Sequence, residues 1–257
     1  MTSAPDRPRH GFVYVPVVDT GPMANAEADR TVRIPGRGPP WIPVDHEVSS
    51  IVVASWPGRL WAVEILDPIT GRDLKAADQV GLSPDAGYTR AAAVKILHAV
   101  PVAILFGPHG EQVCAVIEAA GELTLARAAR LRELQHRDAG DAQNRLWRRW
   151  LVRENIPLDR YNDLDGTLAI GASKAGSPIG KAPRVIHTAV GRRAEGVAGA
   201  AVWRVDEDDP EGAWLSQPWS AASVALVDAT LAFGAPDLVS GADHDILTAA
   251  WRLLEHG

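Results

Sequence analysis

Cysteine is almost missing from this 257-residue chain: Cys114 stands alone, so no internal disulfide can form. A structural zinc cage built on several thiolates is excluded with it. Lysine is scarce too, since Lys75, Lys95, Lys174 and Lys181 are the only lysines among 26 basic residues. The remainder is arginine, which beside abundant alanine, glycine and proline reads as a coding preference and not as a function. No run of about 18 apolar residues occurs, so no segment is expected to span a bilayer as a helix. The polar start, Met1 to His10, lacks the apolar stretch of a signal peptide. A reducing, cytoplasmic setting without a membrane partner is the expectation. The formal charge of −6 excludes a protein that coats nucleic acid through its overall field, leaving only a local basic patch for such contact.

What is present is ordinary globular material: 46% hydrophobic and 23% charged residues, enough to bury a real core. Phe12–Val18 is aromatic and β-branched and predicts a strand, with Pro16 confining it to an edge or a break. The Pro- and Gly-rich stretch 19–45 predicts an irregular loop. Ile51–Ala54 and Leu60–Leu66 flank Trp56-Pro57-Gly58-Arg59, a turn signal that predicts a hairpin. Tyr88–Ala99 predicts an Ala-rich helix ended by Pro101. Val102–Phe106 and Val113–Ala119 then predict a second hairpin around Gly107-Pro108-His109-Gly110. On this reading Cys114 is a buried small hydrophobe on a strand, His98 closes a helix, and His109 sits on a hairpin tip.

Two helices are expected next. In the first, about 122–137, a period of about 100° per residue puts Leu123, Leu131 and Leu134 within roughly 40° of Arg127, an arginine inside an apolar stripe. The second, about 142–154, places Leu146, Trp150, Trp147 and Leu151 on one side. Arg145, Arg148, Arg149 and Arg153 fall on the other, between about 200° and 340° from Leu146. A solvated charged face explains this pattern, as does an electropositive patch for an acidic protein or a phosphate backbone. Residues 155–200 read as loop with a short strand near Val185–Val190, Ala200–Val205 as a strand, and the end as helices from about Ser220 and Asp243.

Three fragments imitate catalytic or ligand-binding motifs. Asp163-Leu164-Asp165-Gly166-Thr167 resembles the first motif of haloacid-dehalogenase phosphatases, which implies Asp163 as nucleophile, Asp165 as acid/base and a Mg²⁺ ion. The preceding Ile156–Asn162 is polar and Pro-broken, unlike the buried strand that family needs. Gly176-Ser177-Pro178-Ile179-Gly180-Lys181-Ala182 echoes a phosphate-binding loop but is one residue short and has Pro where N–H donors are required, so a loop is expected. Asp243-His244-Asp245 opens a helix, where acidic residues cap and complement the dipole. No catalytic or metal-binding set is assigned, and no cofactor is expected.

The run Ala93–Phe106, followed by Gly110–Ile117, resembles an uncharacterised bacterial domain family found beside helicases and DNA methyltransferases in phage-defence gene clusters. That family has a helix leading into a Pro-containing strand and then a hairpin. This chain departs from it at Glu118-Ala119-Ala120, where the family ends its second strand with Lys. The resemblance covers about 30 residues; it implies an accessory protein and carries over no catalytic residue.

The expected fold is α+β, with a mostly antiparallel sheet, a central basic helix pair and C-terminal helices. Its expected parts are 1–121, 122–155 and 156–257, or one continuous domain. The expected function is a non-catalytic accessory or interaction protein of a bacterial multi-protein system. It would engage an acidic protein or nucleic acid through Arg127, Arg145, Arg148, Arg149 and Arg153. A Mg²⁺-dependent phosphohydrolase at Asp163 and Asp165 is the alternative. Oligomeric state and the identity of a partner stay open.

Overall fold

The structure is a computed structural model that describes residues 9–53, 55–69, 87–156, 177–205 and 213–255. The chain divides into two compact units, Met1–Val102 and Ala103–Gly257. The first is built on an antiparallel sheet and the second is mainly helical, so the class is α+β as expected.

In the first unit, β1 (His10–Pro16), β2 (Thr31–Arg33), β3 (Ile42–Asp45), β4 (Gly58–Pro68) and β5 (Tyr88–Val100) form one sheet. β1 pairs with β4 from His10↔Glu64 to Pro16↔Gly58, and β4 pairs with β5. β5 pairs in turn with β3, and β3 returns to β1 at Phe12↔Asp45. The four pairings close a ring, with β2 added beside β3 on the same edge of β5. Irregularities in the β4–β5 register, at Ala62/Val63 and around Asp67, bend the long strands in the way that closure of a small barrel requires. Val13, Val15, Val44, Val63, Ile65, Val94 and Ile96 fill the interior.

Several expectations are corrected here. Tyr88–Ala99 is not a helix but most of β5. Its run Ala91–Ala92–Ala93 is buried, and strands that bury both faces select small or β-branched side chains whatever their helical propensity. Ile51–Val53 form no strand, so no hairpin turns at Pro57; β4 takes β1 and β5 as partners. The expected loop 19–45 contains β2 and β3.

The second unit opens with a 3₁₀ segment, Val102–Phe106, in place of the expected strand. α1 (Gly110–Gly121) replaces the return strand of the expected hairpin. Its buried residues Val113, Val116, Ile117 and Ala120 follow the spacing of one helical face. A Cβ on Gly110 would collide with the carbonyl of Ala103, so glycine is required where α1 starts against the 3₁₀ turn. The strand–3₁₀–helix order over 93–119 also differs from the helix–strand–hairpin that the family resemblance implies.

α2 (Leu125–Leu134) and α3 (Ala139–Arg153) are the expected basic pair. α4 (Pro178–Ala198) replaces the expected loop and the Val185–Val190 strand, and the phosphate-loop echo from Ser177 onward is its first turn. Pro178 occupies the opening turn, where a missing N–H costs nothing. The helix stops at Gly199, whose φ of 73° favours glycine. A small hairpin of β6 (Trp203–Val205) and β7 (Ala213–Leu215) follows, then α5 (Trp219–Gly234) and α6 (Gly241–Glu255).

α5 is the centre of this unit. It packs against α1, α2, α4 and α6, and everything from Ala225 to Gly234 is buried. A helix apolar all round is stable only when surrounded, which is the arrangement found. α2 and α3 pack on α5 and α6 and form no separate part, so the chain divides at Val102 and not at residue 121.

Candidate interaction site

α3 is held by the face that its tryptophan pattern predicts. Leu146 and Trp150 are fully buried, Leu151 nearly so, and Trp147 lies half-buried with its ring edge-on to Trp150 at 5.6 Å between centroids. The opposite face carries the arginines, and the structure separates them into two groups.

Arg145, Arg149 and Arg153 recur every four residues and so form one row along the helix. This row meets carboxylates from the start of α6 and the turn before it. Arg145 donates to Asp243 Oδ1 from Nε at 3.0 Å and from Nη2 at 2.6 Å. Arg149 donates from Nη1 to Asp243 Oδ2 at 3.3 Å and to the Leu238 carbonyl at 2.8 Å. Arg153 reaches Asp237 at 3.0 Å and its neighbour Glu154 at 3.1 Å. Asp243 is 3% exposed. Its two oxygens are shared by two guanidiniums, and it lies in the first turn of α6, where negative charge meets the positive end of the helix dipole. The hydrogen bond from Arg145 is the main reason its carboxyl is held below the ordinary aspartate value. Ser240 and the charges of Arg145 and Arg149 add to this, against desolvation.

The guanidiniums are not sealed by these bonds. The side chains of Arg145, Arg149 and Arg153 remain 46%, 42% and 41% exposed. Arg148 belongs to the second group: it is exposed and has no ion-pair partner among the described residues. Four guanidiniums thus share one ridge with Asp243, Asp237 and Glu154, and Asp141, one turn before Arg145, adds a further negative charge to it. The ridge is preorganised, because Asp243 fixes two of the arginines in place before any partner arrives.

Arg127 is not part of it. Thr124 caps α2 by accepting the Arg127 N–H at 3.2 Å, so the helix begins at Leu125 and Leu123 lies outside the wheel. The buried face is centred on Ala128 and Leu131, and Arg127 stands exposed at its margin, not inside an apolar stripe. Sequence reading missed Asp243 and Asp237 as the carboxylates answering the arginine row, although a row of three arginines at spacing four is itself the signal that such carboxylates are near. It also missed Arg193, whose Nε donates to the Leu123 carbonyl at 2.8 Å just ahead of α2.

Elsewhere, Cys114 lies on α1, buried as expected but on a helix. Burial first, then Glu111 and Glu118, pushes its thiol up to about 12. His98 is on β5 opposite Ala62, and His109 caps α1 without a side-chain bond. Asp163 and Asp165 lie outside the described residues. Among the described residues no group of three or more His, Cys, Asp or Glu could hold a metal ion, and no helix is long and apolar enough to cross a membrane.

The fold and this ridge define the protein's class: an α+β chain of a small closed barrel and a helical unit with a charged seam. Comparison with protein-family models, with curated proteins and with solved structures finds no match.

Proposed function

We propose that this chain is a non-catalytic interaction protein whose α3 ridge receives an acidic segment of a partner protein. Four guanidiniums presented on one preorganised helix face carry this reading. Arg148 contributes a charge not committed within the described residues, and three neighbours keep over 40% of their side-chain surface open. An arginine fork is suited to paired hydrogen bonds with carboxylate, and half-exposed charges recognise a partner without the desolvation cost of buried ones.

An acidic protein fits better than nucleic acid. α3 has 15 residues, about 22 Å of helix, while a duplex carries a charge every ~1.7 Å and is held by many phosphate contacts. Trp150 is buried and Trp147 half-buried against it, so neither offers an open face on which bases would stack. A place in a bacterial multi-protein system rests only on the resemblance over 93–119, whose implied helix–strand–hairpin is not the local structure. The ridge therefore supports the binding role alone.

Arg148→Glu is the clean test, because Arg145 and Arg149 also hold α3 to α6. Binding of a polyglutamate peptide and of a DNA duplex is measured by fluorescence anisotropy across a salt series. The variant is expected to bind the peptide about tenfold more weakly, near 1.4 kcal/mol, with unchanged thermal stability. Unchanged peptide affinity defeats the proposal, and preferential duplex binding lost in the variant replaces it with a nucleic-acid role.

A further inference from the structure

The ridge on α3 is not uniformly charged. Val152 stands one turn beyond Arg148 with 66% of its surface open. At about 100° per residue it falls between Arg148 and Arg145 around the helix, inside the arc of guanidiniums. Asp141 falls in the same arc, so Asp141, Arg145, Arg148 and Val152 form one stripe about 60° wide. All four are exposed. Arg145 reaches Asp243 from the edge of the stripe and still keeps 46% of its side chain open.

The four residues follow one another at spacings of four, three and four. A repeat averaging about 3.5 residues is the one that keeps a row of side chains facing a second helix laid alongside. An extended segment, with its period of two, has no such match. The stripe covers about 16 Å of helix. α3 packs on α5, on α6 and on the turn Pro236–Leu238, and these contacts leave the stripe open to solvent. A lone exposed valine is ordinary on a protein surface. One that closes a charged stripe with helix-packing spacing has a defined place to be buried.

We propose that the acidic segment received by the ridge is an amphipathic helix laid along α3. It sets an apolar residue on Val152, carboxylates on Arg148 and Arg145, and a basic residue on Asp141. This rests on the reading of the ridge as a surface for acidic protein. The charges fix the register, because a partner slipped along the stripe would bring a carboxylate to Asp141 or an apolar residue to a guanidinium. Burial of Val152 supplies the part of the affinity that salt does not screen.

Three probes are compared by fluorescence anisotropy on the full chain. One is polyglutamate; the second is an alanine-based helix carrying Leu, Glu, Glu and Lys at spacings of four, three and four. The third has the same composition with those residues scattered around the helix. The matched helix is made in both chain directions, and the tighter binder gives its orientation on α3. It is expected to bind about tenfold more tightly than the scattered helix, with a weaker salt dependence than polyglutamate. Val152→Ala should cost the matched helix about fivefold, leave polyglutamate unaffected and not lower the melting temperature. Equal affinity of matched and scattered helices overturns the proposal, as does a Val152→Ala chain that binds the matched helix like the wild type. Polyglutamate binding that Arg148→Glu weakens would in either case leave the ridge standing as an acidic-protein surface. Absence of binding by every probe defeats both.

Discussion

Asp228 is a buried carboxylate in the helical unit. It sits on α5 with 3% exposure. Desolvation pushes its carboxyl up to about 6, against a hydrogen bond from Gln135 that works the other way. The folded value stands above the ordinary one of 3.8, so this group destabilises the fold when ionised. Its penalty is full above pH 6, shrinks as pH falls from 6 towards 3.8, and is absent below. Asp228→Asn keeps the shape and the Gln135 contact. It should raise the unfolding free energy at pH 7 by up to about 3 kcal/mol and converge with the wild type near pH 4. Urea unfolding of both proteins at pH 4, 5, 6 and 7 checks this, and parallel curves would refute it. Cys114 illustrates the same physics with another outcome: burial keeps the thiol protonated at neutral pH, so it acts as core filling and not as a nucleophile.

Between elements, the α3–α6 seam concentrates the charge. Asp243 is held below its ordinary value, so its stabilisation is present above the unfolded value near pH 4 and is lost as pH falls through the folded one. Asp243→Asn should lower the melting temperature at pH 7 by about 2–4 °C. It should have no effect once the pH is below both values. Circular dichroism melts taken from pH 7 downward distinguish this from a pH-independent packing defect: the difference between the two proteins should shrink as the pH falls, whereas a packing defect would keep it constant. The ridge proposed to bind a partner depends on the same carboxylate. Asp243→Asn should therefore also weaken the polyglutamate contact, in spite of adding net positive charge, because the guanidiniums lose their anchor.

At the scale of the whole molecule, each unit has its own core: the barrel interior in the first and the surroundings of α5 in the second. Local independence of that kind predicts autonomy. Residues 103–257 expressed alone should give a helical circular dichroism spectrum and a single cooperative thermal transition. A non-cooperative melt would show that the helical unit needs the barrel to complete its core.

The sequence alone determined the α+β class, β1 and β4, the basic helix pair with its buried tryptophan face, and the two closing helices. In these elements one periodicity agrees with local propensity, so the pattern is read without knowing the neighbours. Only the tertiary structure decided the rest. The alanines of β5 favour a helix by themselves and become a strand because β3 and β4 lie on either side, with room only for small side chains. Val113, Val116 and Ile117 favour a strand singly and become α1 because their spacing meets a helical core. α4 forms through Pro178, Gly180 and Pro183, since burial of Ile179, Val185, Ile186 and Val190 outweighs those breakers. Likewise the arginine row of α3 was visible in the chain, but Asp237 and Asp243, which answer it from the start of α6 and the turn before, lie 84 to 98 residues from the arginines they bind. Spacing within a helix is local, whereas the partner of a charge is set by which elements the core brings together.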